Sequence, residues 1–273
     1  MILKNEFHDH YRVVPISRFA QGEKWRIEAM RSYRQPVLIW FTKGQGRITI
    51  NGQAHGYGPH NAIFLPPGTM HGFSTVGTVF GNIVFLPADM ASEFPETAQH
   101  LRFRDVQRQA QLTALIDTLQ GELKSDLPDT AQALRCHSGL LAVWLNRQVA
   151  CLEGDCKEAK RRASHRLVSG FCRLVERDFK TPKTVADYAT ELGVTPTHLS
   201  RVCNECAGKS ASAFLADRVH FEARKLLRET RLPVQEIARM LGFSSAAYFT
   251  RAFHKITGQS PSAFRHGGNL IAA

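Results

Sequence analysis

Two arginines near the C-terminal end sit in matching settings: Arg201 follows Gly193 by eight positions and Arg251 follows Gly242 by nine. Around the first, Thr197, His198, Ser200 and Asn204 fall on the polar side of an expected helix, opposite Leu199, Val202, Cys203 and Cys206. A guanidinium can grip guanine O6 and N7 in two parallel hydrogen bonds, worth about 1 to 3 kcal/mol of discrimination, or hold a phosphate without regard to sequence. Base reading is the favoured role for Arg201; for Arg251 both roles stay open.

Each arginine belongs to the second helix of a helix, glycine turn and helix unit. In the first unit, residues 184–207, Val185, Ala189 and Leu192 recur at i, i+4 and i+7. Thr184 can cap this helix with Asp187 three residues on, and Gly193 follows its last apolar position. Thr195 can cap the next helix, with Pro196 suited to its first turn. The second unit, residues 233–256, runs Val234, Ile237, Ala238 and Leu241, then Gly242 and Phe243, then a helix from about Ser245 with Phe249, Ala252, Phe253 and Ile256 inward. Ala189 and Ala238 each stand four positions before the turn glycine, where two helices must pack closely. Between the units, Phe214, Leu215, Val219, Ala223, Leu226 and Leu227 mark Ser210 to Arg228 as one long amphipathic helix. A rigid rod there would fix the separation of the units, and helices entering successive major grooves on one face of DNA must lie about 34 Å apart.

A purely structural helical bundle would show the same apolar pattern, but charge argues against it. Residues 160–273 carry 19 Lys and Arg against 9 Asp and Glu, whereas residues 1–159 carry 16 against 15. Nearly all of the net charge of +11 therefore lies in the segment with the tandem units, as expected of a phosphate-binding surface.

The run Ile237-Ala238, Gly242-Phe243, Tyr248-Phe249, Phe253, Gly258, Ser260-Pro261 and Phe264-Arg265 resembles the signature of the AraC/XylS family of bacterial transcription regulators, over about 100 C-terminal residues. The one-residue difference between the two units is also a family habit. The resemblance implies seven helices, with the two recognition helices in adjacent major grooves of double-stranded DNA. It places Thr197, His198, Ser200 and Arg201, with Asn204 beside them, against bases or phosphates in the first unit, and Ser245, Ala246, Ala247, Tyr248, Thr250 and Arg251 in the second. Ala246 and Ala247 stand where relatives often place polar readers, and alanine offers only a methyl contact to thymine. The second helix is therefore expected to read weakly, leaving most specificity to Arg201 and its neighbours. Activation of transcription, with RNA polymerase as a partner, is the commoner behaviour that the resemblance implies.

The 273 residues allow about two domains. Met1 to His10 shows no signal-peptide pattern and no apolar run reaches 18 residues, so neither export nor membrane insertion is expected; six cysteines then suit a reduced cytoplasm. From Pro36 the pattern turns to short strands: Val37 to Phe41, a turn at Gly44 to Gly46, Arg47 to Ile50, the hairpin signal Asn51-Gly52, Ala62 to Leu65, and Val79 to Leu86. Many short strands suggest a small sandwich or barrel. Pro66, Gly68 and His71, as P-x-G-x-x-H, are similar to the second motif of cupin barrels, over about 50 residues. A jelly-roll sensor is common at this place in AraC-type regulators. Trp40 to His55 contains no H-x-H, so a complete metal set is not expected. His71 is either a structural or a ligand-contacting histidine. The barrel could hold a small molecule among Trp25, Trp40, Phe41, Phe64 and Phe73, which could equally be plain core. Of Arg26, Arg31 and Arg34, one turned inward would suit a carboxylate effector, and a solvated basic segment is the alternative.

Leu112, Leu115, Ile116 and Leu119, then Leu134, Leu140, Leu141, Val143, Trp144, Leu145 and Val149, give two helices broken by Ser125 to Thr130. In relatives such a pair often forms the homodimer contact; packing on the barrel is the alternative. The expected architecture is thus α+β and multidomain: a cupin-like jelly-roll barrel over 1–100, a helical dimerisation segment over 101–153, a linker over 154–164, and an all-α domain with two tandem helix-turn-helix units over 165–268. Cys203 and Cys206 lie within a recognition helix and suit its core better than zinc, and Cys151 with Cys156 could pair under oxidation. No nucleophile elbow, phosphate-binding loop or H-E-x-x-H appears, so no catalytic residue, cofactor or metal is expected. The reading is an effector-controlled, sequence-specific DNA-binding regulator; a cupin-type metalloenzyme fused to a DNA tether, and an architectural binder without effector, remain the other two.

Overall fold

The computed structural model describes residues 11–20, 25–151 and 161–267. Six strands, β1 (Arg12–Pro15), β2 (Val37–Ile50), β3 (Gln53–Tyr57), β4 (Asn61–Leu65), β5 (His71–Phe85) and β6 (Gln99–Arg102), form one antiparallel sheet in the order β1-β5-β2-β4-β6, with β3 paired to β2. Short helices α1 (Ile16–Ala20) and α2 (Trp25–Glu28) precede β2 in the chain.

Strands β2 and β5 pair along their lengths, and their register slips on either side of Lys43. Gly44 to Gly46, expected as a turn, is this irregular middle of β2, because pairing resumes at Gln45 with Val76 and Gly46 with Thr75. Bulges bend a strand. The bend lays Phe41 from one half of the sheet over Tyr57 and against Phe73 from the other, with ring centroids 3.9 and 5.8 Å away.

The two-residue alternation of strands then sorts side chains into two cores. Ile39, Phe41, Ile63, Leu65, Ile83 and Phe85 line the inside of the curl. Leu38, Trp40, Ala62, Phe64, Val84 and Leu86 line the other face, under α3 (Val106–Leu123) and α4 (Thr130–Ala150), which bury Leu112, Ile116, Leu119, Leu134, Leu141 and Leu145 on it. With both faces covered, Val37 to Phe41 reads as an unbroken apolar run rather than an alternating one.

The C-terminal half comprises α5 (Arg161–Asp178), α6 (Val185–Glu191), α7 (Pro196–Ala207), α8 (Ala211–Glu229), α9 (Val234–Met240), α10 (Ala246–Thr257) and α11 (Pro261–His266), seven helices among the described residues. Helix α5 already includes Arg161, inside the stretch expected as linker and ahead of the expected start at His165; Arg161 to Ser164 contains no proline or glycine and includes strong helix formers. The rest of that stretch, 154–160, and Cys156 lie outside the described residues. The duplication also extends further than the two units. Ser210-Ala-Ser-Ala-Phe214 and Ser260-Pro-Ser-Ala-Phe264 open α8 and α11 alike, each serine oxygen accepting the backbone N–H of the alanine three residues on, at 3.2 Å.

The two halves meet in a shared core, where Met30 and Met70 join Val168, Phe171 and Cys172. The β2–β3 hairpin ends in Asn51 and Gly52, with φ of +46° and +76°, as its tight turn requires. Its tip presses on α5: the Ser169 hydroxyl donates to the Asn51 carbonyl at 3.4 Å, and a Cβ on Gly52 would stand 2.0 Å from Val168 Cγ1.

Candidate nucleic-acid interface and effector site

Helices α6 and α7 are built as their sequences dictate. Thr184 and Asp187 form a reciprocal capping box, Thr195 caps α7 through its bond from the His198 N–H at 3.2 Å, and Pro196 takes the first turn. Leu199, Val202 and Cys203 are buried, while Thr197, His198, Arg201 and Asn204 are exposed and Ser200 is half-buried. Burial pushes the Cys203 thiol up to about 12, which fits a core residue rather than a reactive one. Arg201 is paired with Glu205 one turn along and lies 3.2 Å from His198 Nδ1. Since a guanidinium only donates, Nδ1 accepts and the ring proton sits on Nε2, leaving His198 an outward donor. An exposed pair of this kind is worth only about 0.3 to 0.5 kcal/mol, so Arg201 can leave Glu205 for a stronger partner.

In α10 the Ser245 hydroxyl oxygen is the N-cap, accepting from the Tyr248 N–H at 3.1 Å. Phe249 and Phe253 are buried, as expected, but Ile256 is 46% exposed, because the helix runs past the core in its last turn. Ala246 packs against that core and Ala247 is exposed. Of the expected contacts, the polar side chains that remain outward are the capping Ser245, exposed, Tyr248, 53% exposed, a half-buried Thr250 and an exposed Arg251. His254 and Lys255, also exposed and in the last turn of the same helix, were missed; their positions three and four after Arg251 were the available signal.

Both reading helices have 12 residues, and both arginines lie six positions after the cap, at Thr195 and Ser245. The difference in spacing from the glycines thus lies in the turn. Measured from the cap, Arg201 and Arg251 occupy one helical position.

The residues expected to meet an effector separate. Trp40 and Phe64 belong to the core beneath α3 and α4, with Trp40 Nε1 donating to Thr113 Oγ1 at 3.3 Å; strand alternation turns them away from the inside of the curl. Arg34 is exposed, and the side chain of Arg26 lies outside the described residues. Arg31 and His71 come together. Both are buried, and their backbones exchange two hydrogen bonds of 2.8 Å. The Arg31 guanidinium donates to the carbonyls of Ile27 and Ala29 and to the Tyr33 hydroxyl. His71 Nδ1 stands 2.9 Å from the Thr69 carbonyl, so it carries the proton, and Nε2 is left a buried acceptor with no hydrogen-bond partner among the described residues. A guanidinium beside this ring opposes a cation on it, and no three His, Cys, Asp or Glu side chains gather into a metal site among the described residues.

Burial and the Arg31 charge lower the His71 pKa to about 3, burial and Arg102 lower His100 to about 4, and burial and Arg224 lower His220 to about 4. All three imidazoles stay neutral in the fold, while an unfolded chain protonates them near pH 6.5. Stability is therefore expected to be full above pH 6.5 and to fall as pH drops towards these folded-state values. Near pH 5 unfolding should take up about three protons through these rings, read from the pH dependence of the denaturation free energy. A flat profile between pH 6.5 and 5 would contradict it.

The AraC-like ligand binding domain family matches residues 16–141, the sheet without β1 and most of the helix pair, and a helix-turn-helix domain family matches residues 188–267. The Arabinose operon regulatory protein of Salmonella typhimurium is 36% identical over 83 residues, which are 30% of this chain and 30% of that protein. The Probable transcription factor PqrA of Proteus vulgaris is 35% identical over 82 residues, 30% of this chain and 67% of the relative. The chain belongs to the AraC/XylS family. Among solved structures, ToxT from Vibrio cholerae O395 aligns over 96% of this chain and all of its own, at 12% identity and a TM-score of 0.45. This AraC/XylS family chain spans about a third of the arabinose regulator's length in matched sequence.

Proposed function

We propose that the chain is a sequence-specific DNA-binding transcription regulator whose occupancy of DNA is controlled by a small molecule bound in the sheet domain. The observation that carries this reading is the pair of reading helices of equal length, each with its arginine at the same position after the cap, in the basic half of the chain. Two equivalent faces on one rod suit a double-stranded site read in adjacent grooves. The reading is of a regulator rather than an enzyme, acting in the cytoplasm, with activation through RNA polymerase as its output. Among the described residues no helix is long and apolar enough to cross a membrane.

Arg31 and His71 are the proposed effector contacts. A buried guanidinium suits a carboxylate, and the vacant Nε2 acceptor suits a hydroxyl or N–H donor on the same molecule. A homodimer through α4 is supported by Leu140 and Val143, 57% and 49% exposed on that helix; a monomer by light scattering at micromolar concentration would rule it out.

The test is to bind purified protein to a pool of genomic fragments and sequence what is retained, at two salt concentrations. A shared motif spanning two successive grooves is expected. Sequence-blind retention that collapses with salt would point instead to an architectural binder.

A further inference from the structure

The two reading units are joined through α8 and by a close backbone approach, where the Gly242 turn lies against Lys180 and Thr181. Any turn of one unit against the other would pivot there. A short piece of the sheet domain, residues 25–32, touches both. At one end the Ser32 hydroxyl donates to Glu176 on α5, the helix on which the first unit packs through Phe171 and Tyr188, 5.7 Å apart. The other carboxylate oxygen of Glu176 accepts from Arg218 Nε of α8 at 2.6 Å, and Arg218 Nη1 donates to Glu222 at 3.0 Å. The Arg218 side chain is only 6% exposed, with its guanidinium 3.8 Å from the centre of the Phe179 ring. At the other end Trp25 packs edge-on to Phe221 of α8 at 5.7 Å and against Phe264 of α11 at 6.1 Å. From Phe264 the ring contacts continue to Phe253 at 5.4 Å and on to Phe249 at 5.7 Å, the two buried residues of α10.

We infer that Trp25 and Ser32 are positioning residues for DNA reading: the segment between them braces the two units at one mutual angle, Ser32 acting through Glu176 on the first and Trp25 through Phe264 on the second. The inference rests on the DNA-reading function proposed above. A buried ion pair held by a third group has one good geometry, since leaving any member uncompensated is costly. An edge-on aromatic contact is similarly directional. With both ends fixed, a unit that has engaged its groove presents the other at the right place, so the second contact becomes intramolecular; if the angle wanders, that advantage is lost.

The test uses the full chain and the DNA motif recovered from the genomic pool, together with derivatives carrying one or two extra base pairs between the halves read by α7 and α10. The unaltered protein should prefer the natural spacing by about tenfold or more, a modest part of the 10²- to 10⁴-fold that linked binding can supply. Trp25→Ala should weaken binding to the natural site and shrink the spacing preference to within about threefold, with Ser32→Ala acting in the same direction, while Trp25→Phe keeps the preference. Trp25 and Ser32 are only half-buried, and circular dichroism with a melting curve reports whether each variant folds. A side chain that merely adds stability would lower the melting temperature and leave the spacing ratio alone. Folded Trp25→Ala and Ser32→Ala proteins with the unaltered ratio would overturn the brace. Should Trp25→Ala not fold, Ser32→Ala against Trp25→Phe decides in the same way. If the unaltered protein recovers no motif, it is the DNA-reading function that fails, a different result from a motif whose spacing no variant relaxes.

Discussion

Arg201→Ala is expected to abolish the preference for one base pair in the recovered motif while leaving the others in place, at a cost of about 1 to 3 kcal/mol on the preferred site. The expectation follows from the way α7 presents the side chain. Its side chain is 59% exposed, shares the outward face with Thr197, His198 and Asn204, and among the described residues is tied only to Glu205 and His198 on its own helix. Nothing in the core depends on it, so stability should hardly change and the loss should appear in the DNA alone. Glu205→Gln gives the complementary result. It frees the guanidinium and removes a negative charge from the phosphate side, so affinity should rise for every sequence with little change in preference. Binding by selection on a randomised site, with and without each substitution, separates the two. Uniform weakening by Arg201→Ala on every sequence, with a shallower salt dependence, would mark the residue as a phosphate clamp.

Gly242→Ala should damage the protein far more than Gly193→Ala, although the two glycines close equivalent turns. Both have left-handed backbones, φ +77° and +68°, and any side chain there costs about 1 to 2 kcal/mol. At Gly193 a Cβ would meet nothing within 4 Å among the described residues. At Gly242 it would meet the carbonyl carbon of Thr181 at 2.7 Å and the carbonyl oxygens of Lys180 and Thr181 at 2.8 and 2.9 Å, all backbone, which has no rotamer to turn aside. Crowding of this kind adds about 1 to 3 kcal/mol. The denaturation midpoint of Gly242→Ala should thus fall by at least twice as much as that of Gly193→Ala. Equal losses would mean that the loop at Lys180 and Thr181 shifts without cost.

The helical half was legible because its signals are local. Thr184, Thr195, Ser210 and Ser245 cap the helices they precede, and the apolar spacing places nearly every buried residue; Ile256 departs from it because periodicity does not reveal where a core ends. In the sheet the positions of strands could be read, but not which side faces what. Val37 to Phe41 is apolar throughout, so nothing in it separates Trp40, under the helix pair, from Phe41, inside the curl. The long pairing of β2 with β5 joins residues from 21 positions apart, Ile50 with His71, to 48 apart, Val37 with Phe85, beyond the reach of a turn signal. Of the buried ion pair inside the helical half, one trace was visible: Phe214, Arg218 and Phe221 fall at i, i+4 and i+7, an arginine on an otherwise apolar stripe. A charge there requires a buried carboxylate, and Glu176 supplies it.

That the two arginines agree when counted from the caps, and disagree when counted from the glycines, separates two kinds of change available to this molecule. A residue gained or lost between turn glycine and cap alters how a reading helix approaches the double helix and leaves its azimuth untouched. A residue gained after Thr195 or Ser245 would swing every side chain beyond it by about 100°, carrying the arginine off the groove. A difference in length can therefore sit in the turn while the face that meets the bases keeps its orientation, as it does here, where the turn before Ser245 is one residue longer than the turn before Thr195.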